Sequence, residues 1–247
     1  MSLDQTGREA DVRRALDRVT DPELDEPVTD LRFIDRLAIQ EDAVSIGFRL
    51  PTYWCAANFA FLMADDMRRE ISALPWVRQV EVTLGEHMYA DKINYGLANG
   101  LSFRETFGNE ASAELDELRR TFLVKAFQRR QEVLIRYLLK QNLPAIVAMT
   151  LPGLMALPLD PDGEQMRKRY LDRRHVCARP GDSLAFVDAQ GDSIGAEGLP
   201  DYLLALGRIT INAEFNGALC RGLLAARFND DGEPSLADFA RMSPGTA

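Results

Sequence analysis

Apolar residues recur along this chain with two different periods, and the balance between them shifts after the first third. Val12, Leu16 and Val19 fall on one side of a helix. That helix is expected to stop before Asp21-Pro22, because the residue ahead of a proline is pushed out of helical backbone. Val44, Ile46 and Phe48 alternate with Ser45, Gly47 and Arg49, the period of a strand with one buried face. Residues 33–39 predict a partner strand, turned through Glu41-Asp42. Phe59, Leu62, Met63 and Met67 return to helical spacing, and Val77, Val80, Val82 and Leu84 predict a third strand. The order helix, strand, strand, helix, strand predicts a small two-layer helix/sheet sandwich over residues 1–85, an α+β unit.

Residues 86–247 read as a mainly α-helical extension. Leu115, Leu118, Phe122 and Ala126 form one stripe, and Leu123, Phe127, Leu134 and Leu138 a second beside it, so a long helix with a wide buried face is predicted. A proline- and leucine-rich loop over 143–161, a short basic helix over 163–175 and a β-hairpin over 183–194 follow. A last long helix is predicted over about 200–228, with Ala218, Gly222 and Ala226 as a small-residue strip suited to close helix packing. Gly85, Gly96, Gly100 and Gly108 punctuate the join, and cleavage between residues 84 and 112 is expected if 1–85 folds alone.

Composition narrows the function classes. The chain has 247 residues and a formal net charge of −9, which argues against general nucleic-acid binding. Against that acidic background residues 119–140 carry seven basic side chains and one acid, Glu132, either a solvated face or a docking surface for an acidic partner. Three cysteines, at 55, 177 and 220, make no disulfide framework, and no signal peptide is recognised ahead of them. The longest apolar run, 145–159, is interrupted by Pro152, Gly153 and Pro158 and is too short to cross a bilayer. A cytoplasmic protein with no membrane partner is the expectation.

Candidate chemistry concentrates on Cys55, in Arg49-Leu-Pro-Thr-Tyr-Trp-Cys-Ala56, between a predicted strand and a predicted helix. A thiol at a helix start faces unpaired N–H groups, which favour its thiolate as nucleophile or soft metal ligand. The competing reading is a buried structural thiol. Asp172 and His175 are metal-ligand types one helical turn apart, with the Cys177 thiol close behind, against a capping Asp with a surface His. Phosphate-binding glycine loops, nucleophile elbows and His-Glu-x-x-His are absent, and the two histidines, His87 and His175, leave few bases for a catalytic cysteine.

The first third also resembles a known family. Ala15-Leu-Asp-Arg-Val-Thr-Asp-Pro-Glu-Leu24, Val28-Thr-Asp-Leu31, Thr52-Tyr-Trp-Cys55 and Leu74-Pro-Trp-Val-Arg-Gln-Val-Glu-Val82 follow in order the motifs of the metal–sulfur cluster assembly domain of the SufT and PaaD type. Arg32 stands where that family has a glycine, and Ala56 where it has a proline after the cysteine. The rest of the chain is similar in layout to extended versions accompanying bacterial multicomponent diiron hydrocarbon monooxygenases.

That resemblance implies an accessory factor rather than an enzyme: a metallochaperone for an iron–sulfur or diiron client, with a monooxygenase as the candidate client. Iron or an iron–sulfur cluster would be held transiently, with Cys55 as metal ligand and Asp30 and Thr52 beside it. Asp21 and Glu23 would shape the cleft or simply form the turn. The helical extension would recognise the client, and a homodimer stays open. Two alternatives remain at this level: a cysteine enzyme with Cys55 as nucleophile and His87 or His175 as base, and a structural adaptor with Cys55 inert.

Overall fold

The computed structural model describes residues 3–108, 115–141, 143 and 146–228. Residues 109–114, where the expected cleavage zone ends, and the polar tail from 229 onward lie outside them. The described residues divide into two compact units, one from 3–118 with 215–228 and one from 119–214.

In the first unit, α1 runs over Leu3–Leu16, β1 over Ile34–Gln40, β2 over Ala43–Phe48, α2 over Ala57–Ser72 and β3 over Gln79–Leu84. The mixed α+β class and the predicted element order are both present. β1 and β2 form an antiparallel hairpin in which Gln40 pairs with Ala43, and Glu41 takes φ 53° to make the tight turn. β2 and β3 run parallel, Ala43 opposite Gln79 through Phe48 opposite Leu84, with α2 as the crossover. The alternation read in β2 is the buried face: Val44, Ile46 and Phe48 are each 1% exposed or less. They meet Phe61, Met63, Met67 and Ile71 of α2 in one buried cluster.

That cluster does not stop at Leu84. Ile93 and Leu97 of α3, Ala90–Ala98, and Phe103 and Phe107 of α4, Phe103–Phe107, belong to it, and so does Leu224. The compact unit therefore continues past residue 85, where the sequence pattern placed a boundary. Its last piece is residues 215–228 of α8, the helix Leu199–Phe228. The strip Ala218, Gly222, Ala226 is not what faces the unit, since Ala226 is exposed. Gly217, Cys220 and Leu224 are on the inner face, and a Cβ at Gly217 would stand 3.2 Å from Glu26 Oε1.

The second unit holds residues 119–140 of α5, Leu115–Lys140, then the 3₁₀ turn Ile146–Ala148, α6 Leu151–Ala156, α7 Pro161–Arg174 and residues 199–214 of α8. Phe127, Leu134, Tyr170, Phe186 and Leu203 are among its buried side chains. The predicted hairpin over 183–194 is reduced to one bridge, Val187 to Ser193, around a turn in which Gly191 has φ 83°. Asp188 Oδ1 accepts the N–H groups of Gln190 and Asp192 there, and the Asp188 N–H donates to the Asp192 carbonyl at 2.8 Å, so a tight turn rather than a strand ladder closes the loop.

Candidate functional site

Cys55 lies on the loop joining β2 to α2, one residue ahead of Ala56, which occupies the N-cap position without a side-chain cap. The expected placement at a helix start is found, with the thiol half-buried against the first unit's core. Thr52 Oγ1 stands 3.2 Å from Cys55 Sγ and also accepts the N–H of Trp54 at 3.3 Å. With that lone pair taken, the hydroxyl proton is free to turn toward the sulfur. Thr52 is thus brought to Cys55.

A second loop fixes the backbone beneath the thiol. His87 is 4% exposed. Its Nδ1 accepts the N–H of Tyr89, so its Nε2 carries the proton and donates to the carbonyl of Cys55 at 2.8 Å. Burial lowers the His87 pKa, an effect only partly offset by that bond and reinforced by the Arg227 charge. His87 therefore serves the carbonyl of Cys55, and both its nitrogens are engaged away from the sulfur. Met88 N–H in turn donates to the Tyr53 carbonyl at 2.9 Å. Trp54 is 74% exposed, and with exposed Tyr53 and Met88 it makes an apolar rim beside the thiol.

Asp21 occupies a third loop. Its Oδ1 accepts the N–H groups of Glu23 at 2.9 Å and Leu24 at 2.8 Å, the capping geometry expected of an Asp-Pro-Glu turn. Burial nonetheless dominates and raises its carboxyl to about 6, with the charges of Glu23 and Glu26 adding to the rise. Asp30 is exposed on the following turn, in which the Leu31 N–H donates to the Pro27 carbonyl and the Arg32 N–H to the Thr29 carbonyl. Arg32 takes φ 57°, the left-handed backbone that glycine adopts without strain.

The C-terminal part of α8 reaches this same set of loops. Asn216 donates to Glu23 at 3.1 Å and Arg221 pairs with Glu26 at 2.7 Å. Arg227 donates to the carbonyls of Leu50 at 3.0 Å and Glu86 at 2.7 Å. Cys220 sits between those two sets of anchors. Burial, and then the neighbouring Asp21, Cys55 and Glu23, push its thiol up to about 12. The sequence reading missed this residue. Its phase on α8, three residues after Gly217 and four before Leu224, was the available signal.

Asp172, His175 and Cys177 are not brought together: Asp172 and His175 are exposed, while Cys177 is buried in the second unit's core with its thiol raised by desolvation. Among the described residues no group of three or more His, Cys, Asp or Glu side chains is placed to hold a metal ion. None of the described helices is long and apolar enough to cross a membrane.

Residues 9–84 match the family model for iron-sulfur cluster assembly protein. Over 101 residues the chain is 29% identical to the chloroplast Fe-S cluster assembly factor HCF101 of Arabidopsis thaliana. The match takes in 39% of this chain and 19% of that relative's length.

Proposed function

We propose that this protein is an accessory factor in the maturation of an iron–sulfur or diiron client, with Cys55 as the thiol that handles the cargo transiently. The observation that carries the reading is the coincidence of the iron–sulfur cluster assembly match with a built loop around one thiol. Thiolates suit iron and iron–sulfur clusters. Thr52 is placed to donate to the sulfur, while the His87 clamp keeps the loop in one shape. Because His87 serves a carbonyl, the geometry supports cargo handling over a cysteine nucleophile paired with a histidine base.

The client is a metalloprotein, and a multicomponent diiron monooxygenase is the candidate the chain's layout suggests. The exposed rim of Tyr53, Trp54 and Met88 gives it an apolar contact beside the thiol. The second unit offers a further docking face on α5. Arg130 and Arg136 donate to the carbonyls of Arg169 and Leu203, which leaves exposed Arg120, Lys125 and Lys140 to meet an acidic partner.

The test is Cys55→Ser expressed with the native client. The variant should stay folded while client iron content and activity fall at least tenfold. Full iron loading of the client by Cys55→Ser would end the proposal.

A further inference from the structure

Cys220 has no counterpart in the matched region, which ends at residue 84. Yet the first unit brings it to the same loops as Cys55. Residues 215–228 of α8 are tied at one end to the turn of residues 21–26 through Asn216–Glu23 and Arg221–Glu26. At the other end Arg227 ties them to Leu50 and Glu86, which flank the loops of Cys55 and His87. Gly217 allows the helix to approach Glu26 closely. Cys220 lies between these anchors on the inward face, and both it and Cys55 pack on one buried cluster. Both thiols are half-buried and free of any disulfide.

We propose that Cys55 and Cys220 form a two-thiol site for a thiophilic metal ion, or for an exposed iron of a cluster, carried as cargo. The local charges suit a cation. Asp21 is 8% exposed, and its Oδ2 accepts no hydrogen bond among the described residues. Of the cations on this stretch of α8, Arg221 is paired with Glu26, though its charge is felt at Cys220, and Arg227 donates to loop carbonyls. Each thiol releases its proton to solvent as its sulfur binds the arriving cation. Two ligands do not close a coordination sphere. Closed four-coordinate sites hold metal structurally, whereas a site with open positions leaves room for a client's own ligands. The chain thus supplies the two thiols and the client completes the exchange.

This inference rests on the maturation reading, but the pairing can be measured without any client. Phenylarsine oxide condenses with two thiols to a dithioarsenite and one water, with no oxidant. In the unaltered, reduced protein it should bridge the peptides carrying Cys55 and Cys220 and leave Cys177 alone. Cadmium alone should then give the ultraviolet sulfur-to-metal absorption, reduced by half or more in Cys55→Ser and in Cys220→Ser and unchanged in Cys177→Ser. Absence of the Cys55–Cys220 bridge overturns the pairing even where a variant fails to fold. Undiminished cadmium absorption in Cys220→Ser overturns the metal site. A protein that passes both tests, yet whose Cys55→Ser form loads its client with iron normally, keeps the dithiol and loses the maturation role.

Discussion

His87 donates its Nε2 proton to the backbone carbonyl of Cys55 at 2.8 Å while its Nδ1 accepts the N–H of Tyr89. A charged imidazole would keep the first of those bonds and lose the second, so the full pair exists only in the neutral ring. Its folded pKa lies below the ordinary 6.5. For a lowered pKa, the stabilisation is complete above the unfolded value and is lost as pH falls through the folded one. At about pH 8, His87→Ala should cost about 1–3 kcal/mol, from a lost buried bond and a stranded N–H. Urea unfolding should show that penalty shrinking as pH drops below 6.5. An equal penalty at both ends of the range would mean His87 acts by packing alone.

Asp21 works in the opposite sense. Its carboxyl is raised from 3.8 to about 6, so its stabilisation is complete below 3.8 and lost as pH rises through 6. Keeping this group ionised near neutrality costs up to about 3 kcal/mol, shared between burial and the charges of Glu23 and Glu26. Asn can still accept from the N–H groups of Glu23 and Leu24. Asp21→Asn should therefore gain stability over the parent protein as pH is raised from 3.8 past 6, read as a growing difference in urea midpoint. A difference that does not change with pH would show that the carboxyl titrates alike in the folded and unfolded chains.

How much of this was legible before the structure can be argued from particular residues. Val44, Ile46 and Phe48 announced a half-buried strand because a strand's two faces alternate, and the element order followed. The end of the unit was not legible. Ile93, Leu97, Phe103 and Phe107 sit on short helices among glycines, and no local period says that they share a core with Phe61. Cys55 was readable from its place between strand and helix. Cys220 was not, because its partner loops lie in the first ninety residues and only tertiary packing brings α8 to them.

Phe103 tests where the unit ends. Its ring lies 5.5 Å from that of Phe61 on α2 and 4.6 Å from that of Phe107. Phe103→Ala should therefore destabilise the sheet-containing unit by about 3–5 kcal/mol, as loss of a buried aromatic does. Hydrogen exchange at β2 and β3 amides should accelerate in step. Unchanged protection of those strands would restore a boundary at residue 85.

The three thiols should separate in rate. Cys177 and Cys220 are raised by burial, and Cys220 further by its acidic neighbours, so each holds little thiolate at neutral pH. Cys55 is half-buried, with Thr52 Oγ1 at 3.2 Å. Since the thiolate is the reactive form, iodoacetamide should label Cys55 first, by about tenfold or more. Peptide mapping over a time course reads this directly. Labelling of Cys220 ahead of Cys55 would mean that α8 opens before the Cys55 loop reacts.

In the second unit Gln131 is fully buried, and its amide is satisfied on both sides. Nε2 donates to the Val187 carbonyl at 2.7 Å and to the Tyr170 hydroxyl at 3.3 Å, while Oε1 accepts the Tyr202 hydroxyl at 2.6 Å. Tyr170 passes its own proton to the Ala185 carbonyl. The amide thus joins α5, α7, α8 and the 185–187 segment through one polar network. Gln131→Leu has similar bulk but strands the Tyr202 hydroxyl and the Val187 carbonyl away from water. Each stranded group costs about 1–3 kcal/mol, so a loss of about 2–6 kcal/mol is expected. Tyr202→Phe removes a hydroxyl together with its need, and in the Gln131→Leu background it should recover part of the loss. A double-mutant cycle with no coupling between the two changes would show that packing, not this network, orders the second unit.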